Sequence, residues 1–269
     1  MSAAPGSSVC PPEFVALAHR LADAAGEVAR RYFRTPIAVD TKPDKSPVTV
    51  ADREAEAAMR ALIARDAPGH GVYGEELGVQ GADAEFVWVL DPIDGTKAFI
   101  TGKPSFGTLI ALLHGGVPVL GIIEQPILRE RWLGADGRPT TLNDRPVKVR
   151  ACDALERAVL YATAPEMFKG ADAAAWENLR RRVGLVRYGA DCYSYGLLSS
   201  GFVDLVVESS LQPYDYCALV AVIAGAGGAI TDWRGGALGL ASEGRVVAAG
   251  DARMHAAALV TLTGTKPAA

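Results

Sequence analysis

The sequence has few cysteines and few histidines for its length. Four of each occur among 269 residues. The cysteines lie far apart without the spacing of zinc ligands, and they suggest no disulfide framework. We expect them to be free thiols in a reducing cytoplasm, at positions Cys10, Cys152, Cys192 and Cys217. The histidines lie outside the segments that carry candidate catalytic acids, and we predict that they are packing or surface residues: His19, His70, His114 and His255.

The sequence also lacks a long apolar run and an excess of positive charge. Although 49% of the residues are hydrophobic, glycine or charge interrupts every apolar run well before about 18 residues. Residues 1–12 show no charged and apolar leader and are predicted to form a flexible tail. The net charge of -4 argues against a protein that neutralises nucleic-acid phosphates. We therefore expect a globular cytoplasmic protein with neither a membrane nor a nucleic acid as its partner.

Hydrophobic periodicity predicts helices and antiparallel strands in the first half of the chain. Apolar residues recur at helical spacing over residues 13–33, and a second helix is predicted over residues 50–66. Thr49 is the expected N-cap of this second helix, and Asp52 stands three residues later, as in a capping box. Antiparallel strands are predicted over residues 107–113, 117–125 and 130–133. A mixed sheet with helices is implied.

Strands and helices alternate in the second half of the chain. The strands are predicted over residues 159–162, 185–188, 203–207, 229–231 and 246–249. The helices are predicted over residues 171–182, 194–200, 215–226 and 252–261. The change of pattern predicts an N-terminal α+β subdomain over residues 13–150 that carries most acidic motifs, and a C-terminal α/β subdomain over residues 151–269 that completes the site.

Two aspartates follow an apolar segment where the sequence reads DPIDGT, over residues 91–96. Residues 86–90 are apolar and β-prone, Pro92 cannot continue a ladder of strand hydrogen bonds, and Gly95 has a backbone freedom that other residues lack. Asp91 and Asp94 are therefore predicted to lie close together on a tight turn. Because two such carboxylates repel each other unless a cation or a proton separates them, the turn is either a metal site or a capped strand end.

Other acids stand at the ends of predicted elements. Glu75 and Glu76 follow a short apolar stretch that ends in glycine, and Asp215 opens a predicted helix. Taken singly, Asp215 is also explained by a favourable interaction with the helix dipole. Asp52 is explained equally well by the capping box. Each acid alone is ambiguous.

Together, these motifs resemble the inositol monophosphatase superfamily of magnesium-dependent, lithium-sensitive phosphomonoesterases. The order of the motifs matches over nearly the whole chain: Gly74-Glu75-Glu76, then DPIDGT, then Tyr214-Asp215 followed by Ala226-Gly227-Gly228. The resemblance implies a layered αβαβα sandwich of the fructose-1,6-bisphosphatase type and a homodimer. One departure is Tyr214, because the family pattern usually has tryptophan before the last aspartate.

The resemblance also implies roles for individual residues. The implied metal ligands are Glu75, Asp91, Asp94, Asp215 and the carbonyl of Ile93. Asp52, Thr96 and Glu75 are implied to be catalytic, with a water oriented by Thr96 and Asp52 attacking phosphorus in line. The expected cofactor is Mg²⁺, two or three ions per site, with Mn²⁺ as an alternative and Li⁺ as an inhibitor.

Segments around these motifs resemble one branch of the superfamily, the histidinol-phosphatases of histidine biosynthesis. They include residues 46–53, 123–126, 130–132 and 189–195. The implied substrate is histidinol phosphate, whose ammonium and imidazole groups call for nearby acids such as Asp191 and Glu208. The full set of implied substrate-binding residues is Asp94, Gly95, Thr96, Gly189, Ala190, Asp191, Glu208 and Asp215.

Alternative functions stay open at the level of the sequence. Asp191 is also explained as a cap of the helix that follows it. The enzymatic alternatives are an inositol-1-phosphatase or a phosphatase for sugar bisphosphates or adenosine 3',5'-bisphosphate. A different class of alternative is a non-catalytic metal-binding or interaction protein on the same scaffold.

Overall fold

The computed structural model describes residues 10–43 and 46–264. Within these ranges no helix is long and apolar enough to cross a membrane. The helices are α1 (Pro12–Tyr32), α2 (Val50–Asp66), α3 (Thr96–Ile100), α4 (Ala171–Arg180), α5 (Tyr193–Ser199), α6 (Pro213–Gly225) and α7 (Ala252–Thr263).

The strands of the first half form a hairpin and one large sheet. Their bounds are β1 (Val39–Thr41), β2 (Pro47–Thr49), β3 (Gly71–Gly74), β4 (Gly78–Gln80), β5 (Phe86–Asp94), β6 (Gly107–His114), β7 (Val117–Gln125), β8 (Glu130–Ala135), β9 (Arg138–Leu142) and β10 (Arg145–Pro146). The sheet has the order β10-β9-β8-β7-β6-β5-β3-β4. Its neighbours are antiparallel except for the parallel pair β3 and β5, so the predicted antiparallel run of β6, β7 and β8 is confirmed.

The strands of the second half form a smaller mixed sheet. They are β11 (Val159–Ala162), β12 (Leu185–Tyr188), β13 (Leu205–Glu208), β14 (Ala229–Thr231) and β15 (Val246–Ala249), in the order β12-β11-β13-β15-β14. β11 runs parallel to β12 and β13, whereas β15 is antiparallel to β13 and β14. The two sheets alternate with layers of helices, which confirms the predicted αβαβα sandwich.

Two glycines allow α6 to lie directly on the first sheet. A Cβ atom at Gly121 of β7 would stand 1.8 Å from the carbonyl oxygen of Ala218. A Cβ atom at Gly134 of β8 would stand 2.3 Å from the carbonyl oxygen of Ala221. These distances are far below van der Waals contact, so larger residues would push the helix away from the sheet. The first turn of α6, with Asp215, is thereby held next to strands of the other half of the chain.

The segment with the two aspartates differs from its prediction. Instead of ending before a tight turn, β5 continues to Asp94, with a shift of register between Asp91 and Asp94. The irregularity accommodates Pro92, which has no N–H to give to the ladder, while its carbonyl accepts a hydrogen bond from Thr108 Oγ1 at 2.7 Å. Gly95 then takes a left-handed conformation with φ of 84° and precedes α3.

The bounds of some elements differ from those predicted, and some short elements were not predicted at all. The helix expected to begin at Asp215 begins at Pro213, a residue suited to the first turn of a helix. The unpredicted elements β4, β9, β10 and α3 have too few residues to show a repeating pattern of apolar side chains. Of the tail expected over residues 1–12, residues 1–9 lie outside the described part, Cys10 is buried, and Pro12 already begins α1.

Candidate metal and phosphate site

Three aspartates from two parts of the chain converge at the C-terminal end of β5, an interior strand of the first sheet. Asp91 and Asp94 come from the irregular end of β5, and Asp215 comes from the first turn of α6. Each offers a carboxylate oxygen, and these three oxygens lie within 4.8 Å of one another. We call this group the acidic cluster.

Main-chain N–H groups fix the three carboxylates. Asp91 Oδ1 accepts from the N–H of Ile93 at 3.0 Å, and Asp94 Oδ2 accepts from the N–H of Cys192 at 2.6 Å. Asp215 Oδ2 accepts from the N–H of Gln212 at 2.7 Å, as part of a capping box. Asp215 thus takes part in a capping box in addition to the expected helix-dipole interaction, and the capping box uses only one of its two carboxylate oxygens.

Crowding and loss of hydration shift the acidity of the cluster. Burial raises the pKa of Asp91 well above its usual range, and the charges of Glu75, Asp94 and Asp215 add to that rise. Burial likewise raises the pKa of Asp94, with Asp191 and Asp215 as further causes, and it raises the pKa of Asp215 to about 7. Such a set of hard oxygen donors with unbalanced negative charge fits a divalent cation that prefers oxygen ligands.

Glu75 lies beside the cluster but is engaged by a lysine. Its main-chain N–H donates to Leu90 O on the neighbouring strand at 3.1 Å. Its Oε1 accepts from Lys42 Nζ at 2.7 Å, and the same ammonium donates to Glu76 Oε1 at 2.5 Å. Glu75 still contributes to the raised pKa of Asp91 and Asp215. Sequence reasoning missed Lys42, whose only signal was its place in a polar loop.

A buried glutamate supports the turn that carries Glu75 and Glu76. Glu56 of α2 accepts from the N–H groups of Glu76 and Leu77, at 2.7 and 3.1 Å. Arg60 Nε donates to the same carboxylate at 2.7 Å. Glu56 was also missed, because in the sequence it is one of several charges on a helix.

Asp52 combines a helix-capping role with a contact towards the site. Its Oδ2 accepts from the N–H and the hydroxyl of Thr49, at 2.8 and 2.7 Å, and the predicted capping box is present. Its Oδ1 lies 3.5 Å from the hydroxyl of Thr96, which is 3.2 Å from the carbonyl oxygen of Ile93. Burial raises the pKa of Asp52. Thr96 therefore lies between Asp52 and the carbonyl of Ile93, which was expected to bind a metal.

A narrow acidic pocket adjoins the cluster on the side of the second sheet. Its volume is about 100 Å³, and Asp94 and Asp215 share its lining with Asp191 and Glu208. Glu208 accepts from the N–H of Thr163 and from the hydroxyl of Tyr195, both at 2.9 Å. Burial raises the pKa of Glu208 to about 7. No cationic side chain lines this pocket within the described residues.

Asp191 does not cap the helix that follows it. The main-chain oxygen of Asp191 accepts from Ser194, whereas its side-chain Oδ2 accepts from Ser105 Oγ at 3.1 Å. Burial raises the pKa of Asp191. A Cβ atom at Gly95 would stand 2.7 Å from Asp191 Cγ, so glycine is required for this close approach. The capping explanation of Asp191 is wrong, because its side chain turns towards the site.

The remaining predicted residues lie in the loop before α5. The carbonyl oxygen of Gly189 accepts from Lys103 Nζ and from Ser105 Oγ, the latter at 3.3 Å. Ala190 is buried between Gly189 and Asp191. The loop thus joins the segment after α3 to the acidic pocket. Lys103 belongs to these contacts, although a solvated surface role is commoner for a lysine after such a turn.

Comparisons with known proteins show the family of the chain and its fold. Residues 11–265 match the model of the inositol monophosphatase family, and the chain belongs to that family. It is 52% identical over 258 residues to the bifunctional phosphatase IMPL2, chloroplastic, of Arabidopsis thaliana, covering 93% of this chain and 75% of that protein. It is 39% identical over 227 residues to the histidinol-phosphatase of Mycobacterium tuberculosis, covering 81% and 87%.

The structural comparison gives the same family. An inositol monophosphatase from Zymomonas mobilis superimposes with a TM-score of 0.87 and 47% identity, over 93% of this chain and 98% of that one. The protein is therefore a phosphatase of a metal-dependent family, and its acidic cluster is a group that could bind metal.

The acidic cluster predicts an unusual dependence of stability on pH. Because the pKa of Asp215 is about 7 in the folded protein and near 3.8 in the unfolded chain, the metal-free fold binds extra protons between these values. Its stability is then lost as the pH rises through the folded pKa. We expect the Tm of metal-free protein to increase by about 5 °C or more from about pH 7.5 to about pH 5.5, measured by calorimetry.

An isosteric variant and a control sharpen this test. Asp215→Asn should raise the Tm of metal-free protein at neutral pH and should reduce the further rise that Mg²⁺ produces. Asp83→Asn, an exposed aspartate outside the cluster, should change neither. A metal-free Tm that falls on mild acidification, with an undiminished Mg²⁺ effect in Asp215→Asn, would contradict this description.

Proposed function

We propose that the protein is a Mg²⁺-dependent phosphomonoesterase that hydrolyses L-histidinol phosphate to L-histidinol and phosphate in histidine biosynthesis. The observation that carries this proposal is the pairing of the acidic cluster with an acidic pocket that contains Asp191 and Glu208. A relative with 39% identity bears the name histidinol-phosphatase, which supports the same substrate.

The residues proposed to hold the cations are Asp91, Asp94, Asp215, Glu75 and the carbonyl of Ile93. Two or three Mg²⁺ ions are proposed, with Mn²⁺ able to replace them and Li⁺ acting as an inhibitor. When bound, such cations neutralise phosphate charge and make water more acidic. Glu75, which now accepts from Lys42 Nζ, would bind a cation in place of that ammonium group. The oxygen-only donor set favours Mg²⁺ over softer metals.

The chain's own residues then orient the attacking water. Thr96 can donate its hydroxyl hydrogen to Asp52 Oδ1 and use its oxygen lone pair to hold a water. Asp52, whose pKa is raised by burial, is the base that can receive a proton through this hydroxyl. Because the site is shielded from bulk water, the hydrogen bonds that Thr96 makes to Asp52 and to the water are strengthened.

The acidic pocket supports a cationic leaving alcohol. Both oxygens of Glu208 already accept one hydrogen bond, but a carboxylate has lone pairs for more. Burial raises the pKa of both Asp191 and Glu208, and an ammonium group between them would favour their charged forms. Inositol phosphate carries only hydroxyl groups in the corresponding part and would leave these charges unbalanced.

Inositol-1-phosphatase is the second candidate, because the similar Zymomonas mobilis protein is an inositol monophosphatase. A homodimer is also proposed, with the neighbouring subunit completing the pocket. The four free thiols fit a reducing compartment such as the cytoplasm.

Steady-state kinetics test the substrate. With Mg²⁺ present, we expect kcat/KM for histidinol phosphate to exceed that for inositol 1-phosphate by about tenfold or more, since at least one charge-assisted hydrogen bond distinguishes them. Exhaustive chelation should abolish both activities, and added Mg²⁺ should restore them. A ratio near one would reduce the proposal to a generalist phosphatase, whereas full activity without divalent metal would reject the metal-dependent reaction.

Two isosteric variants test the role of the acidic pocket. We expect Asp191→Asn and Glu208→Gln each to raise KM for histidinol phosphate by about tenfold, because each loses a charge-assisted contact to the substrate. KM for p-nitrophenyl phosphate should change much less, since that ester has no ammonium group. Glu27→Gln, at an exposed position on α1, is the matched control. Equal losses on both esters would show that the two acids do not select the alcohol.

A further inference from the structure

A second cavity lies between α1 and the strands β7, β8 and β9. Its volume is about 410 Å³, and none of its lining residues lines the acidic pocket. Its basic and imidazole groups are His19, Arg30, Arg129 and Arg131, and we call it the basic cavity. Arg131 lies in one of the segments that resemble the histidinol-phosphatases, yet the proposed reaction gives it no role.

Arg131 forms a fixed wall of the basic cavity. Its Nε donates to Glu124 Oε2 at 2.5 Å, and its Nη2 donates to Asp23 Oδ1 at 2.7 Å. Its Nη1 is 3.1 Å from His19 Nδ1. Because a guanidinium only donates, His19 Nδ1 accepts and the ring hydrogen of neutral His19 lies on Nε2. Burial, and then Arg131, lower the pKa of His19, which keeps this tautomer neutral.

The lining of the basic cavity holds three arginines and two acids. Glu124 is 5% exposed and pairs with Arg131, which also pairs with Asp23 outside the lining. Burial raises the pKa of Glu124, and the charges of Arg131 and Arg30 oppose that rise. The other acid of the lining, Asp144, is exposed on the β9–β10 turn. The lining residues therefore carry one more positive than negative charge.

Two guanidinium groups of the lining have no hydrogen bond to the described part of the chain. Within residues 10–43 and 46–264, the side chains of Arg30 and Arg129 have neither a hydrogen bond nor an ion pair. The backbone of Arg129 is nevertheless held, because its carbonyl oxygen accepts from Asn143 Nδ2 at 2.9 Å. Asn143 Oδ1 in turn accepts from the N–H of Arg131 at 3.0 Å. The main chain at Arg129 and Arg131 is thus held by the side chain of Asn143.

The shape of the cavity depends on a glycine of α1. His19, Gly26 and Arg30 are spaced by seven and four residues, so they lie on one face of the helix. A Cβ atom at Gly26 would stand 3.1 Å from Arg30 Nη1 and 3.3 Å from Glu124 Oε1. Glycine therefore lets Glu124 and Arg30 approach the same part of α1, and both side chains line the cavity.

We propose that the basic cavity is a binding site for a small metabolite that carries an oxyanion group, either a carboxylate or a phosphoryl group, separate from the phosphatase site. Two free guanidinium groups, the Nε2–H of His19 and the second hydrogen of the Asn143 amide supply donors from several sides. Guanidinium groups match such oxyanions through paired, charge-assisted hydrogen bonds. The inference does not depend on the substrate of the phosphatase reaction.

Calorimetric titration of the full chain with two probes tests this site. Sulfate represents a phosphoryl group and malonate represents a carboxylate, and a chelator keeps divalent metal away from the acidic cluster, which then repels anions. We expect saturable binding of at least one probe with one site per chain. The variant Arg30→Gln with Arg129→Gln should weaken that binding by about tenfold or more.

A control variant separates the cavity from general surface charge. Arg182→Gln removes a positive charge at an exposed position outside the cavity and should leave binding unchanged. Thermal unfolding of each variant establishes that it is folded, and the probe that binds identifies the oxyanion class. The proposal is overturned if neither probe binds saturably, or if the double variant binds as tightly as the Arg182→Gln control.

Discussion

The mutual repulsion of Asp91, Asp94 and Asp215 is the constraint on which the rest of the structure depends. Carboxylates that crowd together with little hydration cost free energy unless protons or cations balance them. The surrounding fold supplies the N–H groups that orient the three side chains, but no cationic side chain enters the cluster within the described residues. A family whose members depend on metal for phosphate chemistry therefore retains an arrangement that is unfavourable without the metal.

Elements far apart in the chain hold this arrangement in place. The irregular end of β5 positions Asp91 and Asp94, while the glycines of β7 and β8 bring α6 against the same sheet. Under the proposed function, neighbouring parts of the site have different roles. The cluster, Thr96 and Asp52 would serve phosphate hydrolysis, whereas Asp191 and Glu208, which line the acidic pocket, would contact the part of the substrate that distinguishes one phosphoester from another.

Local patterns in the sequence were sufficient for the features that depend on a few adjacent residues. The capping box of Thr49 and Asp52, the antiparallel strands β6 to β8 and the alternation in the second half all have short-range causes. The motifs placed the acids at the ends of elements, and the resemblance gave the order of the layers. The capping explanation of Asp191 failed because its left-handed backbone directs the side chain away from α5.

Features that depend on distant residues could not be predicted. The bulge of β5 requires the partner strand β6, and the contact of Lys42 with Glu75 requires the hairpin of β1 and β2 to lie over another loop. Tyr195 has the sequence context of a core residue, and only the fold shows its hydroxyl donating to Glu208. The basic cavity likewise joins α1 to strands about a hundred residues later, a distance over which no local pattern acts.

Anomalous diffraction from crystals soaked in Mn²⁺ tests the central claim most directly, because it locates the cation without reference to activity. The account predicts anomalous peaks at the acidic cluster, with oxygens of Asp91, Asp94 and Asp215 at coordination distance, and loss of a peak in Asp94→Asn. The account would be contradicted by manganese bound elsewhere with the cluster empty. It would also be contradicted by a lysine or arginine side chain paired with the three carboxylates in place of a metal.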